Sequence, residues 1–348
     1  MTYAILEQLD HYGPLHCPQL DYQQATAYTR QLAAGHYENF TVVSQLLPRR
    51  LREDFRHVYA FCRWADDLGD EIGDTQRSLE LLDWWRTELA TCYDGKPRHP
   101  IFVALLPTIE KYDIPQKPFD ELIDAFCQDQ RISRYQTWQQ LLDYCARSAA
   151  PVGRLVLYLC GYRDLHRQQL SDATCTALQL TNFWQDVRRD VLERGRIYIP
   201  GHVAGEHGLD LDLMATAIKT DDPACNLCAP GLSSLAVPSA GIHAQLPAYR
   251  ATMRDLVGRT RSLFEHGRQL WPLVSRDIRP SIKLFTLGGQ SIVRMIEKLN
   301  YNTLQIRPCL SKTQKATLLL RTLAAHWLPF GRTISVAQSS PQGASSRG

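Results

Sequence analysis

Two acidic stretches are where this chain has the residues and the spacing for chemistry. Asp66 and Asp70 stand four apart in YAFCRWADDLGDE, and Asn182, Asp186 and Asp190 stand four apart in LTNFWQDVRRD. On a helix, a step of three or four returns to the same face. The first segment therefore presents Tyr59, Arg63, Asp66 and Asp70 as one stripe, and the second presents Gln179, Asn182, Asp186 and Asp190 as another. Carboxylates crowded on one face of an apolar helix repel one another unless cations or hydrogen bonds compensate. Hard oxygen donors of this kind suit magnesium, which binds through one or two carboxylates and the phosphates of a substrate. Arginine completes the reading, because its guanidinium forks onto phosphate oxygens. Two such stripes facing each other across an apolar cavity would ionise a prenyl diphosphate. A metal there would stabilise the departing diphosphate while the walls keep water from the carbocation. The plainer alternative is a solvated face on which Arg63 pairs with Asp66 and Asp70. It sits poorly with neighbours such as Phe61, Trp64, Leu68, Phe183 and Trp184. Asp67 points about 100° away from Asp66, and is expected to reach a metal or to support the groups that do.

The elements that must position these stripes are helices. From about residue 22 to 198, segments such as RSLELLDWWRTELATCY and FDELIDAFCQDQ place apolar residues at three- and four-residue steps, separated by Gly, Pro or Asp breaks. PVGRLVLYLCGY is apolar nearly all round, as expected of a helix at the centre of a bundle. Residues 201–247 are rich in Gly, Pro, Ser and Asp and are expected to form an irregular insertion, after which helical patterning resumes. The expectation is an all-α chain with one catalytic domain over residues 1–311. A terminal amphipathic helix at 312–334, able to lie on a bilayer or to pack on the bundle, and a disordered tail at 335–348 follow it.

The remaining features narrow the function by exclusion. The chain has 348 residues and a net charge of +3, with the basic residues scattered, which does not suit a nucleic-acid binder. Ten cysteines lie mostly inside apolar helical patterns, as reduced packing residues of a cytoplasmic protein do. Cys225 and Cys228 alone have ligand spacing, without a second pair to complete a zinc site. No signal peptide and no membrane-spanning run is apparent, so membrane contact is expected to be peripheral.

The chain resembles the squalene/phytoene synthases, head-to-head prenyl synthases with the all-α isoprenoid-synthase fold around a central apolar cavity. The resemblance is carried by NFTVVSQLLPRRLREDFRHVYAFCRWADDLGDE, YCARSAAPVGRLVL, LQLTNFWQDVRRDVLERGRIYIP and LFTLGGQSIVRMIEKLNYNTLQIRPCLSK, in that order over about residues 36–312. It implies that Asp66, Asp70, Asn182, Asp186 and Asp190 hold magnesium. It also implies that Tyr59, Arg63 and Gln179 line the reaction site, and that Tyr301 matches a diphosphate-contacting tyrosine of some relatives.

The departures point to a branch. Glu38-Asn39-Phe40 stands where many relatives have Lys-Ser-Phe, and YCARSAAPVG (144–153) stands where they have YCxxVAGxVG, with Arg147 in place of an aromatic seen in squalene synthases. Together with CRWADDLGDE these most resemble bacterial hydroxysqualene synthases of hopanoid gene clusters, which take presqualene diphosphate and quench the rearranged cation with water. That resemblance implies a single diphosphate site, no use of NADPH, and pathway enzymes on either side that make presqualene diphosphate and reduce hydroxysqualene. Asn39, Phe40, Arg147 and Arg189 are then expected near the substrate, with Arg147 and Ser148 adding polarity to the cavity and Pro151 kinking its helix. The competing expectations are a synthase that condenses farnesyl diphosphate and, in another class, a non-catalytic isoprenoid-binding or assembly factor.

Overall fold

The computed structural model describes residues 5–35, 47–220, 240–311, 313–314 and 317–318. Asn39, Phe40, Cys225, Cys228 and nearly all of the expected terminal helix and tail lie outside them. Helices α1 (Ile5–Tyr12) and α2 (Tyr22–Gly35) lead into α3 (Arg52–Asp70), α4 (Thr75–Tyr93), α5 (Pro100–Tyr112) and α6 (Lys117–Asp129). The bundle continues through α7 (Trp138–Ser148), α8 (Ala150–Leu159) and the long α9 (Leu165–Arg189). It ends with α10 (Gly201–Glu206), α11 (Leu211–Thr220), α12 (Ala240–Gly267) and α13 (Arg279–Lys298). Among the described residues the only extended pairing is one isolated bridge between Arg134 and Ile197, so the fold is all-α as expected.

Helix α3 buries Phe55, Val58, Phe61, Ala65 and Leu68 at helical steps. That face docks on α4 and α5, where Trp64 stacks on Trp85 at 5.2 Å between ring centroids. The opposite stripe of α3 faces the space between helices because α9 lies across from it. Helix α9 starts at Asp164, whose carboxylate accepts the Arg167 backbone N–H at 3.0 Å. Its buried face includes Leu170, Ala177, Leu180 and Trp184, and the Trp184 indole donates to Thr260 at 2.8 Å.

Helix α8 is the central apolar helix expected from its composition. At Gly153 a Cβ would fall 2.4 Å from the Ser171 hydroxyl, so α8 meets α9 at a distance that only glycine permits. Pro151 does more than kink its helix. It sits in the first turn of α8, and the chain breaks at Ala149 (φ −126°, ψ −45°), giving two helices where sequence periodicity suggests one.

The irregular insertion needs correction. Residues 201–206 and 211–220 form α10 and α11, whose Val203, Ala204, Met214 and Ile218 are buried in the core. Short helices separated by a turn at Gly208 carry too few periodic residues to be read from sequence. The cysteines also depart in one place: among the described residues seven are free thiols, and Cys309 is disulfide-bonded. No helix among the described residues is long and apolar enough to cross a membrane.

Candidate active site

Between α3 and α9 lies a cavity of about 810 Å³. Tyr59, Arg63, Asp66 and Asp70 line one side of it, and Gln179, Asn182, Asp186, Arg189 and Asp190 line the other. Leu122, Phe126, Leu178, Phe285 and Ile292 supply much of the remaining wall. The two stripes read from the sequence thus share one apolar chamber.

Asp66 keeps 43% of its side chain accessible to this space, although the wall surrounds it. That burial and the nearby charge of Asp70 push its carboxyl up to about 6. On the other side, burial and then Asp186 push Asp190 up to about 7. Carboxyls shifted in this direction are short of positive charge, so the donor set fits a cation. Among the described residues, however, no three His, Cys, Asp or Glu side chains stand together closely enough to hold one ion.

Arginines account for that separation. Arg194 and Arg196 reach across from α9 to Asp70, at 2.8 Å and 3.0 Å. They arrive there because α9 leaves helical geometry at Asp186 (φ −109°, ψ 15°) and runs into one π-turn, Asp190–Arg194, closed by Gly195 at φ 64°. Such turns re-aim side chains that a straight helix would point elsewhere. Asp186 is held by Arg307, whose Nη2 donates to Oδ2 at 3.0 Å and whose Nε donates to Oδ1.

Asp67 stands apart from the cavity. Its carboxylate is buried and receives the Arg63 guanidinium at 2.5 Å and 3.0 Å, so it orients Arg63 and does not face a substrate. Burial pushes Asp67 up to about 7, against the opposing pull of Arg63. Arg147 is likewise turned away from the cavity, donating to Gln128 at 2.5 Å, whereas its neighbour Ser148 does line the wall. Helix periodicity explains the difference: Ser148 lies four residues after Tyr144 on the face of α7 that lines the cavity, and Arg147 is rotated off that face. Tyr301 does not line the cavity; its ring lies under Arg254, 5.1 Å from the guanidinium carbon. Arg189 lines the cavity while pairing with Glu193 at 2.7 Å.

Asp129, Tyr144 and Arg307 are among the lining residues not foreseen as site residues. Asp129, at the end of α6, is 7% exposed and lies 3.9 Å from Arg196. Its Oδ2 accepts the Tyr144 hydroxyl at 2.7 Å, while its Oδ1 has no hydrogen-bond partner. Burial pushes this carboxyl up to about 7 as well. None of the three carries a local signal, because each has its functional neighbours more than a dozen residues away in the chain.

With the geometry in place, comparison with known proteins is informative. The squalene/phytoene synthase family model matches residues 33–314. A hydroxysqualene synthase of Rhodopseudomonas palustris is 32% identical over 263 residues, which is 75% of this chain and 80% of that protein. A 15-cis-phytoene synthase of Synechocystis is 26% identical over 328 residues, 91% of this chain and 89% of that one. Among solved structures, squalene synthase HpnC from Alicyclobacillus acidocaldarius matches with a TM-score of 0.68 at 39% identity, covering 81% of this chain and 96% of that chain. The family match spans both acidic helices, the broken α7–α8 pair and the strap that carries Arg307: this chain belongs to the squalene/phytoene synthase family.

Proposed function

We propose that the protein is a magnesium-dependent enzyme that ionises presqualene diphosphate and adds water to the rearranged cation, releasing hydroxysqualene and diphosphate. The observation that carries this reading is that the two carboxylate rows line opposite sides of one cavity. Asp66 and Asp70 on α3, with Asn182, Asp186 and Asp190 on α9, would hold the metal. When bound, magnesium would act as a Lewis acid on the departing diphosphate.

The chain's own residues divide the remaining work. Arg63, oriented by Asp67, and Arg189 bind diphosphate oxygens, and Tyr59 and Gln179 position the reacting carbon. Leu122, Phe126 and Phe285 exclude bulk water while the C–O bond breaks and its electron pair leaves with the diphosphate. Asp129, Tyr144 and Ser148 form the polar part of the wall, in the role that sequence assigned to Arg147. Asp129 would take the proton that the water loses as its oxygen bonds to the cation. This sequence consumes no hydride, so it needs no NADPH. It fits within one domain over residues 1–311.

Similarity to a hydroxysqualene synthase favours this product, and similarity to a phytoene synthase over most of the chain keeps farnesyl diphosphate condensation as the second reading. Incubating the purified protein with magnesium and each diphosphate, with and without NADPH, separates them. The expected product is hydroxysqualene from presqualene diphosphate, with oxygen-18 incorporated from labelled water and no effect of NADPH. Turnover of farnesyl diphosphate but not of presqualene diphosphate would overturn the choice.

The raised carboxyls also predict a pH dependence. Asp129 and Asp190 titrate at about 7 in the fold, against 3.8 ordinarily, so the folded state binds more protons than the unfolded chain through this window. Stability of the metal-free protein therefore falls as pH rises toward and through about 7. His57 and His99, which burial holds neutral, act in the opposite sense only below an unperturbed histidine's pKa of about 6.5. Thermal unfolding between roughly pH 6.5 and 8 isolates the aspartates. The midpoint is expected to fall across it, Asp190→Asn to flatten the slope, and magnesium to raise the midpoint most at the alkaline end. Stabilisation by magnesium that instead grew toward acid would contradict the assignment.

A further inference from the structure

The segment after α13 reaches the second acidic helix by a sharp reversal. Asn300 and Tyr301 both take positive φ (49° and 60°), turning the chain back so that residues 302–311 cross α9 as a strap. The strap is pinned where Gln185 donates to the Pro308 carbonyl at 2.7 Å, a buried bond beside Asp186 in sequence. Arg307 extends from it onto both oxygens of Asp186, and Cys309 and Leu310 continue the cavity wall.

A carboxylate forked by a guanidinium has both oxygens engaged, whereas a hard divalent cation requires at least one of them. Arg307 therefore occupies the coordination position that a metal would take on Asp186. The other closure in the cavity differs in kind. Asp70 is held by two arginines, and Arg196, 9% exposed, is too buried to leave without stranding charge. Arg307 is 33% exposed, sits on a strap and not a helix, and pairs with one carboxylate, its Nη1 also donating to Cys309 Sγ at 3.1 Å, so it can swing toward solvent while Pro308 stays anchored.

We propose that Arg307 is the resting counter-ion of Asp186, displaced when a divalent cation takes that carboxylate, and that its released guanidinium then binds the diphosphate arriving with the cation. Arg189 stands close enough to Arg307 for their charges to repel, so the displaced pair would flank an anion better than either side chain alone. A metal-free site is thereby kept closed, and cation and diphosphate bind cooperatively. The inference rests on the metal reading of Asp186 above and adds the residue that competes for it.

The test uses the full chain, with Mn2+ and inorganic diphosphate as probes, and reads binding by titration calorimetry and by the electron paramagnetic resonance of free Mn2+. Without diphosphate, Arg307→Gln is expected to bind Mn2+ at least about fivefold more tightly than wild type. In the presence of Mn2+ the order reverses, and the variant binds diphosphate more weakly. Arg307→Lys, which keeps the charge but cannot fork two oxygens, falls between them. Arg189→Gln removes the same charge from the same wall, but its ion pair is with Glu193 and not Asp186, so it should tighten Mn2+ clearly less than Arg307→Gln does. Equal tightening by Arg307→Gln and Arg189→Gln, or none by Arg307→Gln while Asp186→Asn abolishes Mn2+ binding, would refute the counter-ion role alone. Mn2+ binding indifferent to both Asp66→Asn and Asp186→Asn would instead remove the metal reading beneath it.

Discussion

Asp66→Ala and Asp186→Ala are each expected to lower turnover of presqualene diphosphate by roughly 10³-fold or more, the scale on which loss of one preorganised electrostatic group slows a charge-developing step. The reasoning is that both carboxylates act on the diphosphate through the cation they share, so neither row suffices alone. The fold should persist in both variants. Asp66 faces the cavity, opposite the face of α3 that packs against Trp85 and Phe102. Removing Asp186 frees Arg307, which is exposed enough to be solvated. Diphosphate release and product analysis measure the loss, with far-ultraviolet circular dichroism and thermal unfolding as controls for folding. Turnover near the wild-type rate in either variant would end the metal assignment.

Arg196→Met is expected to cost stability, by about 3–5 kcal/mol, because it leaves buried carboxylates without their cation. Arg196 lies between Asp70 and Asp129, and all three side chains are 10% exposed or less. Arg194 still reaches Asp70 in the variant, but the ion pair that the structure gives Asp129 is with Arg196. Asp129→Asn in the same chain should therefore recover part of the loss, and the double-mutant cycle reports the coupling directly. The defect should also shrink at lower pH. Burial already pushes Asp129 up to about 7, the charge of Arg196 opposes that rise, and without it protonation comes more easily. Denaturant unfolding at pH 6.5 and 8 checks both points; a loss under 1 kcal/mol, or one that deepened toward acid, would show that the pair is not a buried one.

The sequence was most legible where periodicity and chemistry coincided. Asp66 and Asp70, and Asn182, Asp186 and Asp190, lie on helix faces whose reverse sides are strongly apolar, so burial of the apolar sides keeps each acidic row together on one face. Asp67 shows the limit of that logic. Its neighbourhood in the chain is as acidic and as helical, yet one residue's rotation carries it into the wall, where Arg63 claims it. Arg147 departs for a related reason: Tyr144 and Ser148, four apart on α7, face the cavity, and one residue's rotation carries Arg147 to Gln128 instead.

By itself, then, the sequence determined the all-α class, the two acidic faces and the family, because helix periodicity is a local property and the motifs are contiguous. Only the tertiary structure decided how the charge is balanced. Arg194 and Arg196 reach Asp70 through a π-turn, Asp129 joins from the end of α6, and Arg307 closes on Asp186 from a strap 121 residues further along the chain. Electrostatic compensation acts through space over a few ångströms, and proximity in space between residues so distant in sequence exists only once the helices have packed.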